Sequence, residues 1–296
     1  MTTSPGTIEP SVFEHVYVRG TGAFLPGEPV TNDRLDDYIT PLDRHSARIK
    51  RRVLRDNGIQ TRHYAVDATG ATRFSATDLA VAASRHALDD AGLDGTDLDL
   101  FCTGSSGGDT GMPGFANMVQ GALGLPPMET SSHHGVCASG LSALGHAGRA
   151  LELGNHRAAL IVASELPSRL FKRSRFESAS RRTAFDAQFL RWMLSDGAGA
   201  LVAANTPAPD RKSLRLRWFH TRSFSGDYPV CMQIGYPGDD TERSYLDYPS
   251  LSEAEADGAF YLRQDIRLLP NLFEVGLHEY AAPVSYTHLT LPTMIG

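Results

Sequence analysis

The 296-residue sequence has only three cysteines, no excess of positive charge and no long apolar run, and each shortage removes a class of function. Cys102, Cys137 and Cys231 are odd in number and far apart, which argues against a disulfide scaffold and fits reduced thiols. Lys and Arg total 28 against 34 Asp and Glu, a formal charge of -6, so no nucleic-acid footprint and no anionic-membrane footprint is expected. No stretch approaches the ~18 apolar residues of a membrane-crossing helix, and residues 1–10 lack the basic start and apolar run of a signal peptide. The expectation is a soluble, cytoplasmic protein with no membrane insertion. What the chain does have is apolar content, 41% against 21% charged, enough for one large or two ordinary globular domains with full cores.

Along the chain, apolar strands alternate with helical segments. Residues 16–20 read as a short strand that turns at Gly20 and Gly22, and the charged stretch 32–58 as helical. Ser75-Ala76-Thr77-Asp78 has capping-box spacing, and the run behind it places Leu79, Ala83, Ala87 and Ala91 four apart before Gly92. Strands are expected at 98–103 and 128–132, with a helix over 113–123 between them that Gly124 ends, and a further helix over 138–153 stops at Gly154. Ala158-Ala159-Leu160-Ile161-Val162-Ala163 is the kind of apolar run that parallel strands show when both faces are covered. The alternation therefore predicts an α/β fold with a sheet sandwiched between helices.

The second part of the chain is less regular. Residues 167–187, with Arg169, Lys172, Arg173, Arg175, Arg181 and Arg182, read as a basic insertion with a solvated face. Residues 195–202 enter another apolar strand, and 205–210 have the composition of a linker. Leu214, Leu216 and Trp218 alternate with Arg215 and Arg217, the period of a half-buried strand, and a second sheet is expected to begin there. Ile266, Leu269, Phe273, Leu277 and Tyr280 fall near helical spacing, with Pro270 marking a kink or a new first turn, and the pattern stops at Ala282.

The chemistry concentrates at His133-His134-Gly135-Val136-Cys137-Ala138-Ser139-Gly140, where a strand ends, a Gly-bearing turn follows and a long helix starts. A thiol at a helix N-terminus lies in the positive end of the macrodipole among unpaired backbone N–H groups, so its thiolate is expected to be favoured and an oxyanion steadied. An isolated cysteine is more often a small buried hydrophobe; this setting reverses that preference for Cys137, whereas Cys102 and Cys231 keep it. His133, His134 and Cys137 as a metal cluster lack a second Cys/His pair to close a tetrahedral site, so no metal is expected. Gly104-Ser105-Ser106-Gly107-Gly108-Asp109 is not followed by the Gly-Lys-Ser/Thr of a phosphate loop. Asp196-Gly197-Ala198-Gly199-Ala200 precedes a strand instead of opening a helix, so it is read as turn and close packing, not a nucleotide fingerprint.

Several features, in order across roughly residues 16 to 205, resemble the β-ketoacyl-acyl-carrier-protein synthase III family of the thiolase superfamily. They are Asn57-Gly58-Ile59 followed by Arg62-His63, the helix from Asp78-Leu79-Ala80 to Ala91-Gly92-Leu93, Gly135-Val136-Cys137, and Ser195-Asp196-Gly197-Ala198-Gly199-Ala200. Phe24-Leu25-Pro26-Gly27, residues 112–121 and residues 189–196 are similar to the branch that condenses acyl units toward dialkylresorcinols. The resemblance implies a five-layered αβαβα thiolase-like fold of two similar halves, a homodimer, Cys137 as the catalytic nucleophile, and Met112 reaching toward the partner subunit's acyl pocket. Without the family, Met112 reads equally well as ordinary core. The resemblance also implies acyl-CoA or acyl carrier protein as substrates and no cofactor. Arg52 and Asp56 stand where housekeeping members place Trp and Arg for coenzyme A, which favours delivery by carrier protein.

The expected layout is residues 1–205 as the nucleophile-bearing half, 206–282 as the start of a second, incomplete half, and 283–296 as a non-native read-through tail. The family's His and Asn belong to the second half, and the chain ends before either, so this chain by itself is expected to form no carbon–carbon bond. The reaction expected of the complete enzyme is acyl transfer from a thioester onto Cys137 followed by Claisen condensation with a second thioester. A degradative thiolase, an acyltransferase making esters or amides, and a non-catalytic partner subunit are the rival readings, the last disfavoured by the presence of Cys137.

Overall fold

The computed structural model describes residues 10–177, 185–238 and 243–288. Its centre is a six-stranded mixed sheet built from β1 (Tyr17–Phe24), β2 (Leu100–Ser105), β3 (Glu129–His134), β4 (Ala158–Glu165), β5 (Gly197–Ala204) and β6 (Leu214–Arg215), in the spatial order β3-β2-β4-β5-β1-β6. β2, β3 and β4 run parallel, while β5 runs antiparallel to both β4 and β1. The Ala158 to Ala163 run is thus a parallel strand on one side only. All six residues of β2 are buried, and so are most of β4, because helices cover both faces. The principal helices are α1 (Arg44–Asn57), α2 (Ala76–Ala91), α3 (Phe115–Leu123), α4 (Ser139–Glu152) and α5 (Leu269–His288).

Local chemistry sets the helix ends. Ser75 Oγ accepts from the Asp78 N–H at 3.0 Å while the Asp78 carboxylate accepts from the Ser75 N–H at 2.8 Å, the reciprocal capping box that the sequence predicts for α2. Gly58, Gly92 and Gly124 end α1, α2 and α3 in the left-handed conformation. The small-residue face of α2, with Leu79, Ala80, Ala83, Ala87 and Ala91 buried, packs with α3 on one face of the sheet. On the other face Ala143, Ala147 and Leu151 of α4 pack on Leu100, Cys102, Ile161 and Ala203.

Three expectations need correction. The first strand does not turn at Gly20 and Gly22 but runs through them to Phe24. These glycines serve a close approach: a Cβ on Gly20 would stand 2.5 Å from the Ala91 nitrogen, and one on Gly22 would collide with the Ala83 and Ala87 backbone. No second sheet begins at Leu214, since β6 pairs with β1 and extends the same sheet. Trp218 and Phe219 pair with Val12 and Ser11, and the Phe219 ring fills the space that Gly145 leaves open on α4. Residues 214–219 are therefore held by the first sheet, and the remaining ladders among the described residues are two residues long. Third, the helical pattern does not stop at Ala282: α5 continues through Pro283 to His288, a proline removing one backbone hydrogen bond without ending the helix. Residues 289–296 of the expected tail lie outside the described residues.

The expected basic insertion, 167–187, and the residues that follow it have a buried side. Phe171, Leu190 and Trp192 form a third core with Ile49 and Val53 of α1, while the fully buried Arg191 lies over the Phe176 and Trp192 rings and donates to the Thr40 and Phe171 carbonyls. Burial among these rings pushes the Arg191 guanidinium down to about 10. Arg181 and Arg182 lie outside the described residues.

Candidate active site

Strands β2, β3 and β4 end together, with Ser105 opposite His134 and Gly104 opposite Ala163. Beyond His134 the chain makes a tight turn: the Gly135 N–H donates to the Ser105 carbonyl at 3.3 Å, the Ala138 N–H to the Val136 carbonyl at 2.6 Å, and α4 begins at Ser139. Cys137, at φ 57°, is the one non-glycine residue with positive φ among the described residues. Such backbone costs on the order of 1–3 kcal/mol and persists only where its surroundings hold it. Here they do, because two glycines let the first turn of α4 lie directly on the strands. A Cβ on Gly104 would stand 2.5 Å from the Gly140 nitrogen, and one on Gly140 would stand 2.9 Å from Ala163 Cβ. No side chain caps the N-terminus of α4, so its first N–H groups face the same end of the sheet as the Cys137 thiol.

The electrostatics correct the expectation of a ready thiolate. Cys137 is exposed, yet the protein around its sulfur withdraws water from it and pushes the thiol up, and the Glu165 carboxylate adds to the effect. Glu165 ends β4 and was not singled out from sequence; the only hint was its place just after an apolar strand. Its carboxylate accepts from the Ser106 N–H at 2.7 Å and from the Ser106 hydroxyl at 2.5 Å. Burial raises the Glu165 pKa, partly offset by those bonds and by His134.

The other sequence candidates separate cleanly. Strand alternation sends His133 and His134 to opposite faces: His133 lies 3.0 Å from Ser131 Oγ with its ring 5.4 Å from that of His146 on α4, while His134 is exposed. They do not converge with Cys137 into a ligand set. Cys102 is fully buried and its thiol is pushed up to about 12, and Cys231 is half-buried with its thiol donating to the Asp265 carbonyl at 3.5 Å. Met112 precedes α3 and is 86% exposed, so it is not core within this chain. The Gly-rich run after β2 is a structural turn in which Ser105 Oγ accepts from the Gly107 and Gly108 N–H groups. Asp109 caps α2 by accepting from the Ala76 and Thr77 N–H groups, and it pairs with Arg169 at 2.9 Å, so Arg169 is not part of a solvated face. Arg52 and Asp56 are exposed on α1, 3.9 Å apart. Asp196, fully buried before β5, accepts from the Ala65 and Ser168 N–H groups and pins two loops to the sheet. A groove lined by Arg85, Leu88, Leu93, Leu123 and Leu125 lies at the amino ends of β2 and β3, opposite to Cys137.

Comparison with known proteins fits this geometry. Over 189 residues the chain is 34% identical to β-ketoacyl-[acyl-carrier-protein] synthase III of Cereibacter sphaeroides, covering 64% of this chain and 51% of the relative. It is 32% identical over 192 residues to the enzyme of the same name from Rhodospirillum rubrum, covering 64% and 52%. The chain thus spans about half the length of the curated relatives it matches. No protein-family profile matches it. Among solved structures it superimposes on a tetronic acid condensing enzyme with TM-score 0.69 at 25% identity, covering 91% of this chain and 75% of that one. On Xanthomonas campestris OleA the TM-score is 0.55 at 26% identity, covering 65% and 57%. The fold is that of the thiolase-type enzymes, with the described residues supplying one sheet and a helical layer on each of its faces.

Proposed function

We propose, for a chain homologous to β-ketoacyl-acyl-carrier-protein synthase III over some two thirds of its length, that it carries the nucleophile of a Claisen-condensing acyltransferase. The observation that carries the reading is Cys137: exposed, held at positive φ in the turn between β3 and α4, and set against an uncapped helix N-terminus. In the first half-reaction the Cys137 sulfur attacks an acyl thioester carbonyl, the Cys137 proton leaves, and the donor's thiol departs. The uncapped N-terminus of α4, next to Cys137 in the chain, supports stabilisation of the tetrahedral oxyanion by backbone N–H groups. In the second, the α-carbon of another thioester loses a proton to solvent or a carboxylate as carbon dioxide, the resulting carbanion attacks the acyl carbon, a carbon–carbon bond forms, and the Cys137 thiolate leaves and takes up a proton. The likeness of residues 24–27, 112–121 and 189–196 to the dialkylresorcinol branch supports a carrier-bound β-ketoacyl thioester as that second substrate. The ion-paired Arg52 and Asp56 on α1 support carrier protein over coenzyme A as the donor.

The assembly that suits this chemistry is a homodimer. The Ala158 to Ala163 run is buried at the centre of the sheet and offers no interface. Supporting the dimer instead are β3, an edge strand with no buried residue, and the exposed Met112, which precedes the helix leading into that strand. The test is the intact mass of the protein after incubation with a panel of acyl thioesters. Addition of one acyl group, lost in Cys137→Ala and retained in Cys102→Ala and Cys231→Ala, is the expected result; acyl addition undiminished in Cys137→Ala overturns the assignment.

A further inference from the structure

The Cys137 thiol does not sit alone at the carboxyl ends of the strands. α4 begins two residues after it and lies so close to β2 and β4 that Gly104 and Gly140 have no room for side chains. The turn is thereby fixed over the carboxyl ends of β2 and β4: the Gly135 N–H donates to the Ser105 carbonyl, and the N–H of the next residue, Ser106, donates to Glu165 at the end of β4. The Glu165 carboxylate in turn cannot swing into water, since Ser106 holds one oxygen by its N–H and the other by its hydroxyl. An acidic side chain is thus fastened near the most exposed of the three cysteines. Among the described residues, His134 of β3 interacts electrostatically with the carboxylate. The first turn of α4, Ser139 to Ser142, has no charged side chain. Asp109 in the loop after β2 is turned toward Arg169 and the start of α2.

We propose that Glu165, clamped by Ser106, is a positioning residue that restrains Cys137 from ionising until the carboxylate charge is neutralised. The inference rests on Cys137 being the reactive cysteine. Its physical content is a contest between two fixed fields. The N-terminus of α4 favours a thiolate, whereas a like charge a short distance away in partly dehydrated surroundings opposes it. When Glu165 takes up a proton, either as pH falls or as an incoming thioester excludes water from the carboxylate, the like-charge opposition is lifted and the helix field is opposed only by the partial burial of the sulfur. The acyl-accepting sulfur is then released from restraint as the substrate arrives, and the unloaded enzyme keeps its thiol protected from stray electrophiles and oxidants, which attack the thiolate.

The experiment is the pH–rate profile of iodoacetamide alkylation at Cys137, followed by peptide mapping, in the wild-type chain and in Glu165→Gln, Ser106→Ala and the distant control Asp89→Asn. Removing the charge moves the midpoint to lower pH, and a midpoint lowered by about one pH unit makes Glu165→Gln alkylate about tenfold faster near neutrality. Ser106→Ala, which frees the carboxylate to turn toward water, moves in the same direction by less, and Asp89→Asn superimposes on wild type. Should Glu165→Gln not fold, Ser106→Ala still decides the matter. Coincident profiles for wild type and a folded Glu165→Gln or Ser106→Ala, with Cys137 still the labelled residue, overturn the restraint. Label appearing on Cys102 or Cys231 in place of Cys137 overturns the nucleophile assignment instead.

Discussion

At the scale of single residues, the molecule concentrates backbone strain and an unshielded thiol at one position. Cys137 adopts a conformation that suits glycine, and the cost is tolerated because the turn delivers its sulfur to the end of α4. Stability and function are therefore opposed at this position. The Cys137→Gly protein is expected to be more stable than Cys137→Ala by about 1 kcal/mol, since Ala keeps the Cβ that the left-handed backbone disfavours. Urea unfolding of the two variants measures it. Equal midpoints would mean that the turn carries no strain. The sequence marked Cys137 as the candidate nucleophile through its Gly-x-Cys-x-x-Gly setting, but not the sign of its electrostatics. That sign comes first from the partial burial of the sulfur and then from Glu165, which is distant in sequence and brought alongside by the β2 and β4 pairing.

At the scale of elements, sheet and helices are matched by what they omit. β1 presents Gly20 and Gly22 to the alanine face of α2, so that helix and strand backbones meet almost directly. Gly22→Ala is expected to lower stability by about 1–3 kcal/mol through overpacking against the Ala83 and Ala87 backbone. By contrast Gly199→Ala, in the facing strand and with open space around a new Cβ, is expected to stay within about 0.5 kcal/mol. Chemical denaturation of the pair separates close approach from simple glycine flexibility. This distinction was hidden in the sequence. Helix ends were legible because a capping box and a C-terminal glycine act within a few residues. The meaning of Gly20 and Gly22 was not, because a glycine in a turn and a glycine under a helix are spelled alike. The placement of 214–219 was misread for a related reason: alternation predicts a strand but says nothing of which strand it joins.

At the scale of the whole molecule, the apolar side chains are distributed unevenly. Two cores flank the sheet and a third lies under α1, yet Phe273, Leu277 and Tyr280 on α5 are each more than 60% exposed. A row of large apolar side chains in water favours association. The double substitution Phe273→Ser and Leu277→Ser is expected to raise the soluble fraction of the expressed chain and to weaken binding of a hydrophobic dye, with Cys137 alkylation unchanged. A fall in solubility would show instead that α5 is held by contacts those side chains make.

The order of the strands also sets a timetable for synthesis. β1 is the first strand of the sheet to be made, but in the finished sheet it is inserted between β5 and β6, with Tyr17 opposite Ala204 and Val18 opposite Leu214. At about 5–20 residues per second a ribosome needs roughly 10 to 40 s to travel from one partner to the other. During that interval β2, β3 and β4 can assemble with α3 and α4 by parallel βα units, while β1, which can meet the alanine face of α2, has neither of its strand partners. Non-local pairings of this kind also slow the folding of the finished chain. The nascent protein consequently passes through a stage in which its nucleophile-bearing turn can form while the opening strand is still unsatisfied, and that strand is where a chaperone would find its substrate.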